Sequence, residues 1–254
     1  MALPKIDVPI YELTVPSTDE KIKYRPFLVK EEKLLLIAME SGENSDILRA
    51  VKDIVDACTF NKMKIGNMPM FDVEYIFLQI RSKAVGEVST LRVLCLDDMK
   101  TYAKVEVDLN EIEVRVTDAH TNKIELSDEM GVIMKYPTVD SFVENKIDDI
   151  SPANMLDVIV TCIDKIYDKK GEEVFDAKDS TKKELVDFVE QMNTTQFADV
   201  QKFFDTMPAL SHEITVKNPK TKKESKVTLS LSLIHISEPT LSLIHISEPT
   251  RRTP

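Results

Sequence analysis

The chain has 254 residues, 43% hydrophobic and 30% charged, with a formal net charge of −11. The apolar share suffices for a packed core, in one large domain or two small ones. The acidic balance repels phosphate backbones and excludes broad electrostatic binding to nucleic acid, and no apolar run reaches the ~18 residues that suggest a membrane-spanning helix.

Val8–Val15 alternates loosely between Pro9 and Pro16, which suits an edge strand. Lys21–Val29 reads as a second strand, with Ile22, Tyr24 and Phe27 facing inward and Pro26 ending regular pairing. Lys30–Ser41 (KEEKLLLIAMES) carries strong helix formers and stops at Gly42. Asn44 or Ser45 is placed to cap the next helix, whose Ile47, Val51, Ile54, Val55 and Cys58 form one core-facing stripe. After a connector, Met70–Val85 predicts a third helix, with Phe71, Tyr75, Leu78 and Ile80 among its buried residues and Gly86 at its end.

Past Gly86 the period becomes two. Thr90–Leu96, Thr101–Leu109 and Glu111–Val116 predict an antiparallel meander with one wet face, Asp97–Lys100 turning between the first pair. Lys123–Tyr136 adds further strands. Asp140–Lys146 is a short helix, and Ser151 with Pro152 opens a longer one. Ala153–Tyr167 is apolar on most sides and is expected to be the central helix. Thr181–Glu184 is a capping-box pattern opening a helix with Leu185, Phe188, Val189 and Met192. Thr195–Met207 supplies another, ended by Pro208. His212–Lys217 and Ser225–Ser230 read as a final hairpin.

The fold class is α+β: an N-terminal strand pair and helices, an antiparallel meander, and a C-terminal helical region closed by a β-hairpin. Strands and helices do not alternate as βαβ units, which disfavours a doubly wound nucleotide fold. The expected division is an α+β region over 1–136 and a helical region with the hairpin over 137–230, packed as one compact unit with the first. Residues 231–254 form a tail of another kind. LSLIHISEPT at Leu231–Thr240 is repeated letter for letter at Leu241–Thr250. Repeat folds need roughly three units and tolerate drift at surface positions, so this identity points to copied DNA. The decapeptide resembles a translated transposase adapter from DNA library preparation. The tail is set aside as a scar, and the native C-terminus is expected to be missing after about Ser230. The alternative is a genuine β-tail of two short strands.

Glycine is scarce: Gly42, Gly66, Gly86, Gly131 and Gly171 lie far apart, too far to cradle a phosphate, so no cofactor is expected. Outside the tail the histidines are His120 and His212, with neither an HExxH nor a GxSxG motif. Cys58, Cys95 and Cys162 are odd in number and set among apolar residues, which indicates buried thiols in a reducing compartment. Cys95 with His120 is the pair to test for a cysteine hydrolase; a structural thiol is the competing reading. The strand–knuckle–strand segments Val93–Thr101 and Val216–Ser225 have the outline of a zinc ribbon. Their equivalent positions are Cys95 with Asp98 and Asn218 with Thr221, and one thiolate does not hold zinc. Lys217, Lys220, Lys222, Lys223 and Lys226 form a local basic run, read either as a solvated hairpin tip or as a nucleic-acid contact. The opening MALPKIDVPIYEL lacks a signal peptide's apolar stretch.

Two segments are more specific: KIKYRPFLVKEEKLLLIAMES at Lys21–Ser41 and FDVEYIFLQIRSKAVGE at Phe71–Glu87. With the opening LPKIDVPIYELTVPST they resemble the baseplate hub assembly proteins of T4-like bacteriophages, from Met1 to about Ser230. The resemblance implies building the hub of a contractile tail's baseplate, either as a hub component or as a transient assembly chaperone absent from the virion. It implies other phage baseplate hub proteins as partners, and a location in the infected host cytoplasm during assembly or in the virion tail baseplate. It brings no catalytic residues, cofactor or metal, and neither nucleic acid nor a membrane segment is expected among the partners. Members end in a short Gly-Leu and Phe-Phe stretch, which would follow Ser230 here. The candidate interaction residues are Arg25, Phe27, Lys30 and Glu31, where a strand gives way to a helix; a Phe and an Arg together are frequent interface anchors. The competing reading puts Phe27 in the core and pairs Arg25 with Glu31 or Glu32.

Overall fold

A computed structural model describes residues 6–145, 147, 154–168, 173–231 and 244–246. It is a mixed α+β protein whose chain divides into two compact units. One comprises Met1–Arg115 with Ala209–Pro254, the other Val116–Pro208. The boundaries therefore fall at 115/116 and 208/209, where the sequence suggested 136/137.

In the first unit, β1 (Tyr11–Thr14) and β2 (Lys21–Tyr24) pair antiparallel, Leu13 opposite Ile22. Leu13, Ile22 and Tyr24 are buried, as alternation dictates. Helix α1 (Val29–Ser41) ends at Gly42, whose φ of 73° is the left-handed cap that glycine reaches without a Cβ clash. Helix α2 (Asn44–Cys58) has its cap position at Glu43, one residue before Asn44 and two before Ser45, the caps expected, with no side-chain cap hydrogen bond. The stripe Ile47, Val51, Ile54, Val55 and Cys58 is wholly buried.

Helix α3 (Met70–Val85) is buried nearly all round, including Asp72, Glu74, Gln79 and Ser82. This corrects the expectation that the helix after residue 153 is the central one. Such burial requires polar partners, and Asp72 has them. Its Oδ1 accepts the Ser17 N–H at 3.1 Å and its Oδ2 the Ser17 hydroxyl. Strands β3 (Val88–Leu94) and β4 (Tyr102–Asp108) form an antiparallel hairpin, Leu91 opposite Val105. The predicted meander stops there. Strand β5 (Glu113–Arg115) hydrogen-bonds instead to a strand nearly a hundred residues later.

The second unit is a sheet with helices. Its strands β6 (Lys123–Glu125), β7 (Met130–Met134), β8 (Ile163–Asp168) and β9 (Glu173–Asp176) lie in that order, all antiparallel. Between β7 and β8 come α4 (Val139–Asn145) and α5 (Met155–Cys162). The predicted 153–167 helix is thus half helix and half strand, with the switch at Ile163. A run dense in Ile and Val has no single face to betray its period, and β-branched residues suit a strand. The expected cap at Ser151 and Pro152 lies outside the described residues.

Helix α6 (Lys182–Glu190) opens on the capping box read from sequence: Glu184 N–H donates to Thr181 Oγ1 and Thr181 N–H to Glu184 Oε2. Helix α7 (Thr194–Thr206) has an Asn193–Gln196 box that was not anticipated. Gln196 Nε2 also donates to the Leu126 carbonyl at 2.7 Å, tying α7 to the β6–β7 turn.

The chain returns to the first unit in β10 (Ala209–Lys217) and β11 (Glu224–Leu231), with Ile214 opposite Val227. The backbone of β12 (Ile244–Ile246), inside the segment set aside from the sequence, adds antiparallel to Leu229–Leu231. The sheet order is β12-β11-β10-β5.

Candidate functional site

The four residues singled out from sequence sit at the corner between β2 and α1. Arg25 N–H donates to the Cys58 carbonyl at 3.0 Å, fixing the corner to the end of α2. The Arg25 guanidinium donates to the Pro26 carbonyl at 3.0 Å and to Glu31 Oε1 at 2.9 Å. Glu31 Oε2 accepts the Leu28 N–H at 2.8 Å, one half of an N-terminal cap. Lys30 Nζ lies 3.2 Å from Glu31 Oε1. Burial pushes the Glu31 carboxyl pKa up, but Arg25, the Leu28 N–H and Lys30 outweigh it and hold it below the usual value. Arg25 pairs with Glu31 rather than Glu32, and both side chains are nearly covered, 13% and 6% exposed, while Lys30 is 71% exposed. Phe27 is half-buried. The structure thus brings Arg25, Lys30 and Glu31 together as a framework that starts α1.

What that framework holds up was not anticipated. On α1 only Glu31 and Ala38 are buried. Val29 is 80% exposed, Leu36 51% and Ile37 54%, with Leu28 and Leu34 above a third. At 3.6 residues per turn Val29, Lys33, Leu36 and Glu40 share one face, with Ile37 beside it. The signal is present in the sequence: LLLIAM is apolar on every side of a helix, and packing against α2 leaves part of it uncovered. The exposed apolar side chains share this face with the exposed Lys33 and Glu40.

The other candidates are engaged structurally. The two knuckles meet within the first unit. Asp97 Oδ1 accepts from Asn218 Nδ2 at 2.8 Å, and Asp97 Oδ2 from the Thr221 hydroxyl. Asn218 is buried and its Oδ1 accepts the Lys220 and Thr221 N–H groups at 2.8 and 3.2 Å. Asp98 accepts the Lys100 and Thr101 N–H groups and the Thr101 hydroxyl. A carboxylate clasp therefore stands where a zinc ribbon would place its ion. The residue that bridges the knuckles is Asp97, next to Asp98, the position equivalent to a zinc-ribbon ligand. Among the described residues no group of three or more His, Cys, Asp and Glu is arranged to hold a metal.

Burial, with Asp97 and Asp98 nearby, pushes the Cys95 thiol pKa up, away from a nucleophilic thiolate. Burial likewise raises Cys58 to about 11 and Cys162 to about 12. In the second unit His120 spends both ring nitrogens: Nδ1 lies 3.1 Å from Thr206 Oγ1 and Nε2 2.9 Å from the Tyr136 hydroxyl. Thr206 donates its proton to the Lys202 carbonyl at 2.7 Å, so His120 Nδ1 is the donor to Thr206 and Nε2 accepts from Tyr136. Phe203 packs on both rings, 5.1 Å from His120 and 5.6 Å from Tyr136. A depression of about 300 Å³ beside this cluster is lined by Lys123, Ile124, Asp199, Lys202, Phe203 and Thr206. At the hairpin tip, Lys217 pairs with Glu224 at 3.1 Å and Lys226 with Glu213 at 2.8 Å, which tempers the basic run.

The described residues thus define a mixed α+β protein of two compact units, with Val29, Leu36 and Ile37 of α1 exposed. The chain belongs to the family described as T4 bacteriophage base plate protein, whose model matches residues 8–232. That match stops two residues into the tandem repeat. No curated protein and no solved structure matches the chain. No helix among the described residues is long and apolar enough to cross a membrane.

Proposed function

We propose that this base plate protein builds the hub of the tail's base plate by protein–protein contact and without catalysis, and that the exposed face of α1 is a contact surface. The observation that carries the reading is the uncovered Val29, Leu36 and Ile37 on a helix whose start is held by a nearly covered ion pair. Such a helix is rigid, so little ordering entropy opposes docking. The raised Cys95 thiol and the fully engaged His120 ring favour a non-catalytic role over a cysteine hydrolase. Partners on this reading are other phage base plate proteins, met in the infected cell or in the virion tail.

The test is phage assembly with Leu36→Asp and Ile37→Asp together. Both side chains are exposed, so the variant keeps its helical circular dichroism. Loss of base plates and of copurifying base plate proteins is expected. Normal base plates from the folded variant would overturn the reading.

A further inference from the structure

We propose that the exposed face of α1 pairs with the same face of a second copy of this chain. The two helices run antiparallel about a two-fold axis between Leu36 and Ile37. The proposal rests on the reading of α1 as a contact surface and names its occupant.

The pattern that carries it is a mirror in charge. Leu34, Leu35, Leu36, Ile37, Ala38 and Met39 form an unbroken apolar run, with Lys33 before it and Glu40 after it. Lys33 stands three residues before Leu36 and Glu40 three after Ile37. A two-fold rotation about the midpoint exchanges each position with its mirror. Leu36 then meets Leu36 of the other copy on one flank of the seam and Ile37 meets Ile37 on the other, and Lys33 meets Glu40, twice over. A two-fold interface demands this self-complementarity. Parallel pairing would instead set Lys33 against Lys33 and Glu40 against Glu40. Val29, Lys33, Leu36, Ile37 and Glu40 are all exposed, so each is available to the neighbour.

A second feature agrees. Within one copy, Glu40 sits in the last turn of α1, where no basic residue stands. Helix C-termini carry partial negative charge and favour cations. The single helix therefore has the wrong charge at that end, and an antiparallel neighbour supplies Lys33 to it. The helix is about 20 Å long, so the seam is smaller than a standard stable interface and falls in the weak, reversible class.

Sedimentation of the full chain at ~0.15 M salt, where the net charge of −11 is screened, tests this. A concentration-dependent monomer–dimer equilibrium is expected, abolished by Leu36→Asp. Lys33→Glu alone or Glu40→Lys alone weakens it about tenfold, since each turns two attractive pairs repulsive. The double swap restores it, and mixing the two single variants gives a heterodimer tighter than either homodimer. A monomer at all concentrations, or a dimer indifferent to these changes, overturns the pairing. If the wild-type chain is monomeric while the α1 variant still prevents base plate assembly, the pairing fails and the contact reading stands. If base plates also assemble normally, both fail.

Discussion

The Arg25 guanidinium and the Glu31 carboxylate meet at 2.9 Å with both side chains nearly covered, at the point where β2 hands the chain to α1. The pair closes a ring: Glu31 also caps the Leu28 N–H, and Arg25 also binds the Pro26 carbonyl. Removing one partner of a covered pair leaves the other charge without compensation. Glu31→Ala should cost about 3 kcal/mol in denaturant unfolding. Glu31→Gln should cost less, because the amide oxygen still caps Leu28. Equal losses from both would place the effect in the ion pair with Arg25 alone, and no loss from Glu31→Gln would place it in the helix cap.

The same carboxylate sets a pH dependence. The folded-state pKa of Glu31 is held below its ordinary 4.5. Its contribution is fully present above that ordinary value and is lost as pH falls through the lower, folded one. Unfolding midpoints of the wild type and Glu31→Gln should converge as the solution is acidified below 4.5. A constant gap at all pH values would show that the charge contributes nothing.

His120 makes a parallel prediction for the second unit. Burial holds its pKa below the ordinary 6.5, and the neutral ring already satisfies both neighbours. The unfolded chain takes up the proton first, so this contribution is present above 6.5 and declines as pH falls toward the lower folded value. His120→Gln should flatten that decline. A ring proton signal from His120 titrating at or above 6.5 would contradict the assignment.

Gly131 tests the second sheet. A Cβ there would overlap the Tyr167 hydroxyl and come within 2.5 Å of the Ile124 carbonyl oxygen. Because Gly131 is paired with Glu125 on one side and Tyr167 on the other, the backbone has little room to yield. Gly131→Ala should destabilise by about 1–3 kcal/mol, read as a lowered Tm. An unchanged Tm would mean that Tyr167 turns aside without cost.

The knuckle clasp predicts indifference to chelators. Asp97→Ala should speed amide hydrogen exchange at Lys220 and Thr221, whose N–H groups bind the Asn218 side chain that Asp97 holds. EDTA should leave Tm and exchange unchanged. Stoichiometric zinc in the purified protein, with a Tm lowered by EDTA, would show that an ion holds the knuckles.

Sequence by itself determined the features whose signals are local. The bounds of α3, the stop at Gly42, the buried stripe of α2 and the Thr181–Glu184 cap all follow from side chains within a turn or two of the effect. Tertiary structure alone decided what depends on distant partners. β5 leaves the expected meander for β10, since which edge a three-residue strand joins is a matter of what else the fold brings alongside. The apolar run after Asn154 breaks into α5 and β8, because β7 and β9 offer Ile163–Asp168 two ladders of hydrogen bonds that a helix would forgo. Asp97 rather than Asp98 bridges the knuckles, a choice set by where Asn218 arrives. On α1, LLLIAM promised burial on all sides, and only the packing of the fold left half of it facing outward. Hydrophobicity is written residue by residue, but burial is a property of the assembled fold.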